Sequence, residues 1–295
     1  MQGWFIRTGI GLWSRTTPLA AANWLAGQFF RVRNAKPKDW EMGIPEADEV
    51  LVTTFGMGLR RWGKGPKVML VHGWEGRFSQ FAILVPLLVD AGFEVISLDP
   101  PGHGLSDGQN SNPVKFGEAI HATAEALGPF FAIIGHSMGA VGTVLALCHG
   151  TSMQRVALVS MPASLEFMLR AVCRNVGFGA SATEAFLRKI DKTVGVPALQ
   201  LDARRLAAQR TEPVLIIHDR NDPQVPFSQA EEVAAAWPGA RSIFSDRLGH
   251  TRILANTQIC NGLIGFLKEQ PDGKTPSARI IPARPDAQSH ALTQV

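Results

Sequence analysis

From residue 50 onward the chain alternates short, β-branched, apolar runs with longer helix-like segments. The runs KVMLVHG (67–73), FEVISLDP (93–100), FFAIIGHS (130–137), RVALVSMP (155–162), PVLIIHD (213–219) and ARSIFSD (240–246) are continuously apolar over their centres. That is the pattern of strands buried on both faces. Ahead of them, LVTTF (51–55) and GLRRW (58–62), separated by Gly56, predict an antiparallel hairpin. Between the runs lie QFAILVPLLVDAG, VKFGEAIHATAEALG, MGAVGTVLALCHG, SQAEEVAAAW and ANTQICNGLIGFLKEQ, each read as a helix. Strands alternating with helices imply an α/β fold: a mostly parallel central sheet with helices on both faces and an antiparallel pair leading into it.

One interval breaks the alternation. Residues 163–212 contain no strand-like run but include LEFMLRAVCRNVGFG, ATEAFLRKI and LDARRLAAQ. They predict a helical cap inserted over the carboxyl edge of the sheet, where ligands bind in open α/β folds. Residues 1–49 form a leader whose apolar, tryptophan-rich first half predicts one or two amphipathic helices packed on the domain at 50–270. Arg7 and Arg15 interrupt that leader before any run reaches the roughly 18 residues of a spanning helix. Aromatics together with arginines suit a membrane surface as the alternative. From Pro271 to the end the chain is rich in proline and polar residues, which predicts a disordered tail.

Composition narrows the chemistry. A chain of 295 residues with 45% hydrophobic and 18% charged residues has material for one large core. Cys148, Cys173 and Cys260 are too few and too scattered for a disulfide framework or a zinc site. They point to a reducing, cytoplasmic setting, and Cys148 and Cys173 are read as buried spacers. The net charge of +4 is spread without a Lys/Arg block, which argues against nucleic-acid binding. No clustered His/Cys/Asp set and no phosphate-binding lysine pattern is present, so no metal and no cofactor are expected.

The chemistry concentrates at FFAIIGHSMGAVGTVLAL, residues 130–147. A Gly-x-Ser-x-Gly turn between a strand and a helix puts the serine on a strained bend, and side chains two residues before and after it would collide with the neighbouring strand and helix. Gly135 and Gly139 remove those collisions around Ser137. A serine hydroxyl needs a base and a group that orients the base. His250, in SDRLGHTR just beyond the last strand, is the histidine on a loop at the correct edge; His149 falls in the following helix and His290 in the tail. For the orienting acid, HDRNDPQVP offers Asp219, which closes its strand, and Asp222, three residues further into the turn. Asp222 is preferred, and Glu166 is a third candidate. VHGWEGRF supplies the loop after the first parallel strand, so the backbone amides of Trp74 and Met138 are the expected oxyanion donors. His72, His103 and His136 are read as structural.

With those residues in place the chain resembles a serine hydrolase of the α/β-hydrolase superfamily, esterase- or lipase-like with a helical lid. HGWEG resembles its oxyanion loop, LDPPGHGLSDG its Asp-x-x-Gly-x-Gly-x-Ser loop, GHSMG its nucleophile elbow, HDRNDPQVP its acid loop and the Gly-His pair at 249–250 its histidine loop. The five fall in the family's order. The resemblance implies the α/β-hydrolase fold and hydrolysis of a small-molecule carboxylic ester or thioester, with Ser137 as nucleophile, His250 as base and Asp222 as orienter. Acyl transfer, peptide cleavage and carbon–carbon hydrolysis use the same three side chains, and an idle binding protein on the same scaffold is the non-enzymatic alternative. Glu75 departs from the pattern, since many relatives carry a small residue there. Its carboxylate is expected either to repel anionic substrates or to face solvent.

Overall fold

Residues 2–33, 36–269 and 279–281 are described in a computed structural model. The leader forms helices α1 (Gln2–Thr16) and α2 (Pro18–Phe29). The hairpin follows as β1 (Glu49–Val52) and β2 (Gly58–Trp62), then come β3 (Lys67–Val71), α3 (Leu84–Asp90), β4 (Glu94–Asp99) and α4 (Pro113–Leu127). The elbow joins β5 (Ala132–His136) to α5 (Met138–Cys148), and β6 (Arg155–Val159) leads into the cap helices α6 (Leu165–Val176), α7 (Ala180–Val194) and α8 (Ala203–Ala207). The chain returns through β7 (Val214–Asp219), α9 (Phe227–Ala236), β8 (Arg241–Ser245), α10 (Gly249–Arg252) and α11 (Thr257–Lys268), with a last strand β9 (Arg279–Ile281).

The sheet order is β1-β2-β4-β3-β5-β6-β7-β8-β9. β1 and β2 pair antiparallel, β2 joins β4 antiparallel, and every later pairing is parallel. This is the expected fold: an α/β hydrolase sheet, mostly parallel, with helices on both faces. One face packs under α4, α5, α9 and the cap around Phe116, Ile133, Val144 and Trp237. The other packs under α3 and α11 around Phe81, Leu88, Ile134 and Phe266. Apolar burial on both faces is why β3 to β7 read as unbroken hydrophobic runs.

The apolar runs overshoot their strands at the carboxyl ends. His72 and Gly73 follow β3, Ser137 follows β5, and Ser160 to Pro162 follow β6, outside the strands yet largely buried. There the backbone leaves the sheet to turn into loops, so hydrophobicity alone places these strand ends too late. The reading of a disordered tail from Pro271 falls outside the described residues except at Arg279–Ile281, which pair in parallel with β8 and depart from it. The reading of Cys148 as buried is also corrected. The apolar face of α5 ends at Leu147, and Cys148 emerges exposed while Cys173 and Cys260 are buried.

The leader packs on the cap. α2 lies against α7, with Ala21, Ala22, Leu25 and Ala26 buried; the alanines let the two backbones approach closely. Ser14 Oγ accepts from Gly179 N at 3.2 Å and donates to Gly11 O at 2.8 Å, which fastens α1 to the loop between α6 and α7. Leu12, Leu19 and Trp24 remain exposed on the outer side. Among the described residues no helix is long and apolar enough to cross a membrane.

Candidate active site

Three segments leaving the carboxyl edge of the sheet bring the candidate residues together; His250, expected on a loop, lies in the short helix α10. Ser137 caps β5 and enters α5 with φ 52° and ψ −116°, a left-handed backbone that costs a non-glycine residue about 1–3 kcal/mol. It is anchored by its N–H, which donates to Val159 O of the neighbouring strand at 2.8 Å. The flanking glycines are required sterically. A Cβ on Gly135 would sit 2.6 Å from Ala140 Cα, and one on Gly139 would sit 2.3 Å from Val71 O and 2.6 Å from His72 O. Because those carbonyls belong to the end of β3, Gly139→Ala should push α5 off the strand. Overpacking of this kind costs about 1–3 kcal/mol, so the urea midpoint should fall and the elbow should be displaced; an unchanged midpoint would contradict that packing.

His250 Nε2 lies 3.0 Å from Ser137 Oγ, and His250 Nδ1 lies 2.7 Å from Asp222 Oδ2. In the tautomer that can take the serine proton, Nδ1–H donates to Asp222 and Nε2 accepts from the hydroxyl. Asp222 Oδ1 is itself fixed by Gln224 N at 2.8 Å and Val225 N at 3.0 Å. Burial opposes its charge, but the hydrogen bond and charge of His250 and these two amides outweigh that, holding its carboxyl below the ordinary range. Asp219 serves the scaffold instead. Its Oδ2 accepts from Ser245 Oγ at 2.7 Å and Leu248 N at 2.9 Å, and Oδ1 accepts from Asn221 N at 3.0 Å, tying the acid loop to the histidine loop. Glu166 pairs with Arg170 one turn along α6 and does not join the cluster.

The backbone of His250 is pinned from below. Its carbonyl accepts from His136 Nε2 at 2.9 Å and from Ser160 Oγ at 3.2 Å. Gly73 packs so close to the elbow that a Cβ there would meet Ser137 Cβ at 2.9 Å, which brings the peptide entering Trp74 beside the serine. Met138 opens α5, whose amino end directs partial positive charge at the same place. Sequence reasoning missed Ser160 and the structural weight of Asp99. Asp99 is fully buried and accepts from Arg60 Nη1 at 2.7 Å and Leu105 N at 2.9 Å. Burial works against its charge, yet His72, at 3.6 Å, and Arg60 hold its carboxyl below the usual value. The signal was available, because Asp99 begins the LDPPGHGLSDG loop.

Burial favours the neutral form of two histidines near the site, pushing His103 down to about 4 and His136 down to about 3. The ordinary value of 6.5 applies once the chain unfolds. Between those limits the unfolded chain binds protons that the folded chain does not, so stability is full above about 6.5 and falls as the pH drops. Each of the two should contribute a loss of about 1.4 kcal/mol per pH unit in that window. Urea midpoints measured from about pH 7.5 down to about 4.5 should hold to about pH 6.5 and decline below it, and a flat profile throughout would contradict the buried neutral state. The carboxyls of Asp99 and Asp222, held low, add their own loss only below the ordinary carboxylate range.

A mostly parallel sheet with a serine on a strand-turn-helix elbow at its carboxyl edge and helices inserted between β6 and β7 is the architecture of an α/β hydrolase. The chain belongs to the alpha/beta hydrolase family, whose sequence profile matches residues 68–259. Pimeloyl-[acyl-carrier protein] methyl ester esterase of Xanthomonas campestris pv. campestris is 26% identical over 253 residues, covering 71% of this chain and 98% of that protein. A serine hydrolase-like protein of Dictyostelium discoideum is 32% identical over 96 residues, 30% of this chain, and that match spans only 27% of the relative's length. Among solved structures, bromoperoxidase from Bacillus anthracis superposes with a TM-score of 0.58 at 21% identity, covering 72% of this chain and 95% of that one. That likeness is one of fold.

Proposed function

We propose that the protein hydrolyses carboxylic esters or thioesters through an acyl-enzyme formed on Ser137. The observation that carries this reading is the unbroken relay of 3.0 Å and 2.7 Å from Ser137 Oγ through His250 to Asp222, held beyond the ends of three different strands. Ser137 Oγ attacks the carbonyl carbon as His250 Nε2 takes its proton. The tetrahedral oxyanion is met by the amides of Trp74 and Met138, each such donor supplying about 2.7–4 kcal/mol of transition-state stabilisation. His250 then gives the proton to the leaving alcohol or thiol, and in the second half activates water to release the acid. Asp222 keeps the imidazole in the required tautomer. The relative named for a methyl ester supports ester over amide or carbon–carbon cleavage.

The test is labelling by a fluorescent fluorophosphonate beside a panel of nitrophenyl esters from acetate to palmitate. Labelling with turnover supports the reading, and the chain-length profile sizes the acyl pocket. Folded protein that neither labels nor turns over would leave the idle binding protein in its place. We place the enzyme in the cytoplasm with its leader on the cap. A lipase on the membrane surface is the alternative that exposed Leu12, Leu19 and Trp24 keep in play. Flotation with liposomes separates the two.

A further inference from the structure

The segment that follows α2 crosses the loop carrying Trp74. Phe30 O accepts from Ser111 N at 2.9 Å, Val32 N donates to Gln109 O at 2.9 Å, and Arg31 pairs with Asn110 in an antiparallel bridge. Residues 30–32 therefore run as a short strap fastened to the loop between β4 and α4. From that anchorage two contacts reach the loop after β3. The Phe29 ring stacks on Trp74 with centroids 6.2 Å apart and planes 14° apart, while its edge meets Phe186 of α7 at 5.7 Å. Arg33 N donates to Glu75 Oε1 at 3.2 Å.

His103 grips the same two residues from another side. Its ring meets Trp74 at 5.7 Å, nearly perpendicular, and its Nε2 accepts from Glu75 N at 3.0 Å. Its Nδ1–H donates to Pro101 O at 3.1 Å, which fixes the tautomer that leaves Nε2 free to accept. Glu75 is held with φ 53°, a left-handed backbone that a residue bearing a side chain keeps only when its surroundings over-determine it. Here they do, through the amide on His103 and the carboxylate on the strap. The expected alternatives for Glu75, repulsion of anions or plain solvation, leave this contact with the leader out.

We infer that the leader is a working part of the active site: the strap Phe29–Arg33 holds the Trp74–Glu75 segment so that the Trp74 amide meets the oxyanion, with Glu75 as the positioning residue. The inference rests on the Ser137 hydrolase reading above. The strap lies outside the residues that the family profile matches, which begin at 68. The physical reason it matters is geometric. Oxyanion donors act over about 2.7–3.1 Å, so a loop that drifts by an ångström loses most of their effect.

Three variants of the full chain test it. Glu75→Ala removes the acceptor, Glu75→Gln keeps a carbonyl oxygen for Arg33 N, and Arg33→Pro removes the N–H while leaving Glu75 in place. With the nitrophenyl ester that wild type turns over fastest, Glu75→Ala and Arg33→Pro should lose roughly ten- to hundredfold in kcat with KM within about twofold. The double variant should be no worse than either single one, and Glu75→Gln should stay within about threefold of wild type. The rate of fluorophosphonate labelling should fall in step, since phosphonylation of the serine develops the same oxyanion. Wild-type kcat in Glu75→Ala would overturn the inference, as would a loss that Glu75→Gln does not rescue and that tracks a lowered melting temperature in both. Where Arg33→Pro does not fold, the Glu75→Ala and Glu75→Gln pair decides. If folded wild type neither labels nor turns over, the hydrolase reading itself fails and takes this one with it; an active wild type with an indifferent Glu75 overturns the strap alone.

Discussion

Ser137→Ala should remove fluorophosphonate labelling completely and lower kcat on the best ester by roughly 10⁴- to 10⁶-fold, the range seen when a hydrolase loses its nucleophile. The substitution is a clean one. Alanine keeps the Cβ, so it carries the same left-handed backbone at φ 52° and the same packing against Gly73, and only the hydroxyl bonded to His250 disappears. The melting temperature should therefore stay near that of wild type. A variant that still labels, or still turns over ester at more than about a hundredth of the wild-type rate, would move the nucleophile elsewhere.

Asp222→Asn should cost about 10⁴-fold in kcat while leaving the fold intact. The carbonyl oxygen of asparagine can still accept from Gln224 N and Val225 N, which now bond Asp222 Oδ1, so the acid loop keeps its shape. What changes is the second oxygen, 2.7 Å from His250 Nδ1. An amide nitrogen there is a donor, and it turns the imidazole to the tautomer with its hydrogen on Nε2. That hydrogen then points at Ser137 Oγ, and the base has no lone pair to offer. Matched urea midpoints with lost turnover would establish this; retained turnover would return Asp219 to consideration despite its bonds to Ser245 and Leu248.

Most of the fold was legible because burial on both faces writes a strand as an unbroken apolar run, and the five loops at the carboxyl edge carry motifs that only one chain order satisfies. Ser137, His250 and Asp222 could be named from spacing and element order. The rest was hidden for physical reasons. Among described non-glycine residues, positive φ occurs at Glu75, Ser137, Ser160 and Arg247, beyond the ends of β3, β5, β6 and β8. Only Ser137 announces its backbone, through its two glycines; the other three are held there by tertiary contacts that leave no local trace. The strap is invisible for the same reason. Nothing in FFRVR indicates that its backbone would bond Gln109, Ser111 and Glu75.

The reach of Phe29 across to Phe186 also sets an order of events at the ribosome. The leader is made first, yet the helix that covers it is made more than 150 residues later. At about 5–20 residues per second the nascent leader must wait on the order of ten seconds with its alanine stripe and aromatic rings uncovered. Until the cap emerges, α2 lacks the helix against which its alanines pack, although the partners of residues 30–33 in the loops after β3 and β4 have already been made.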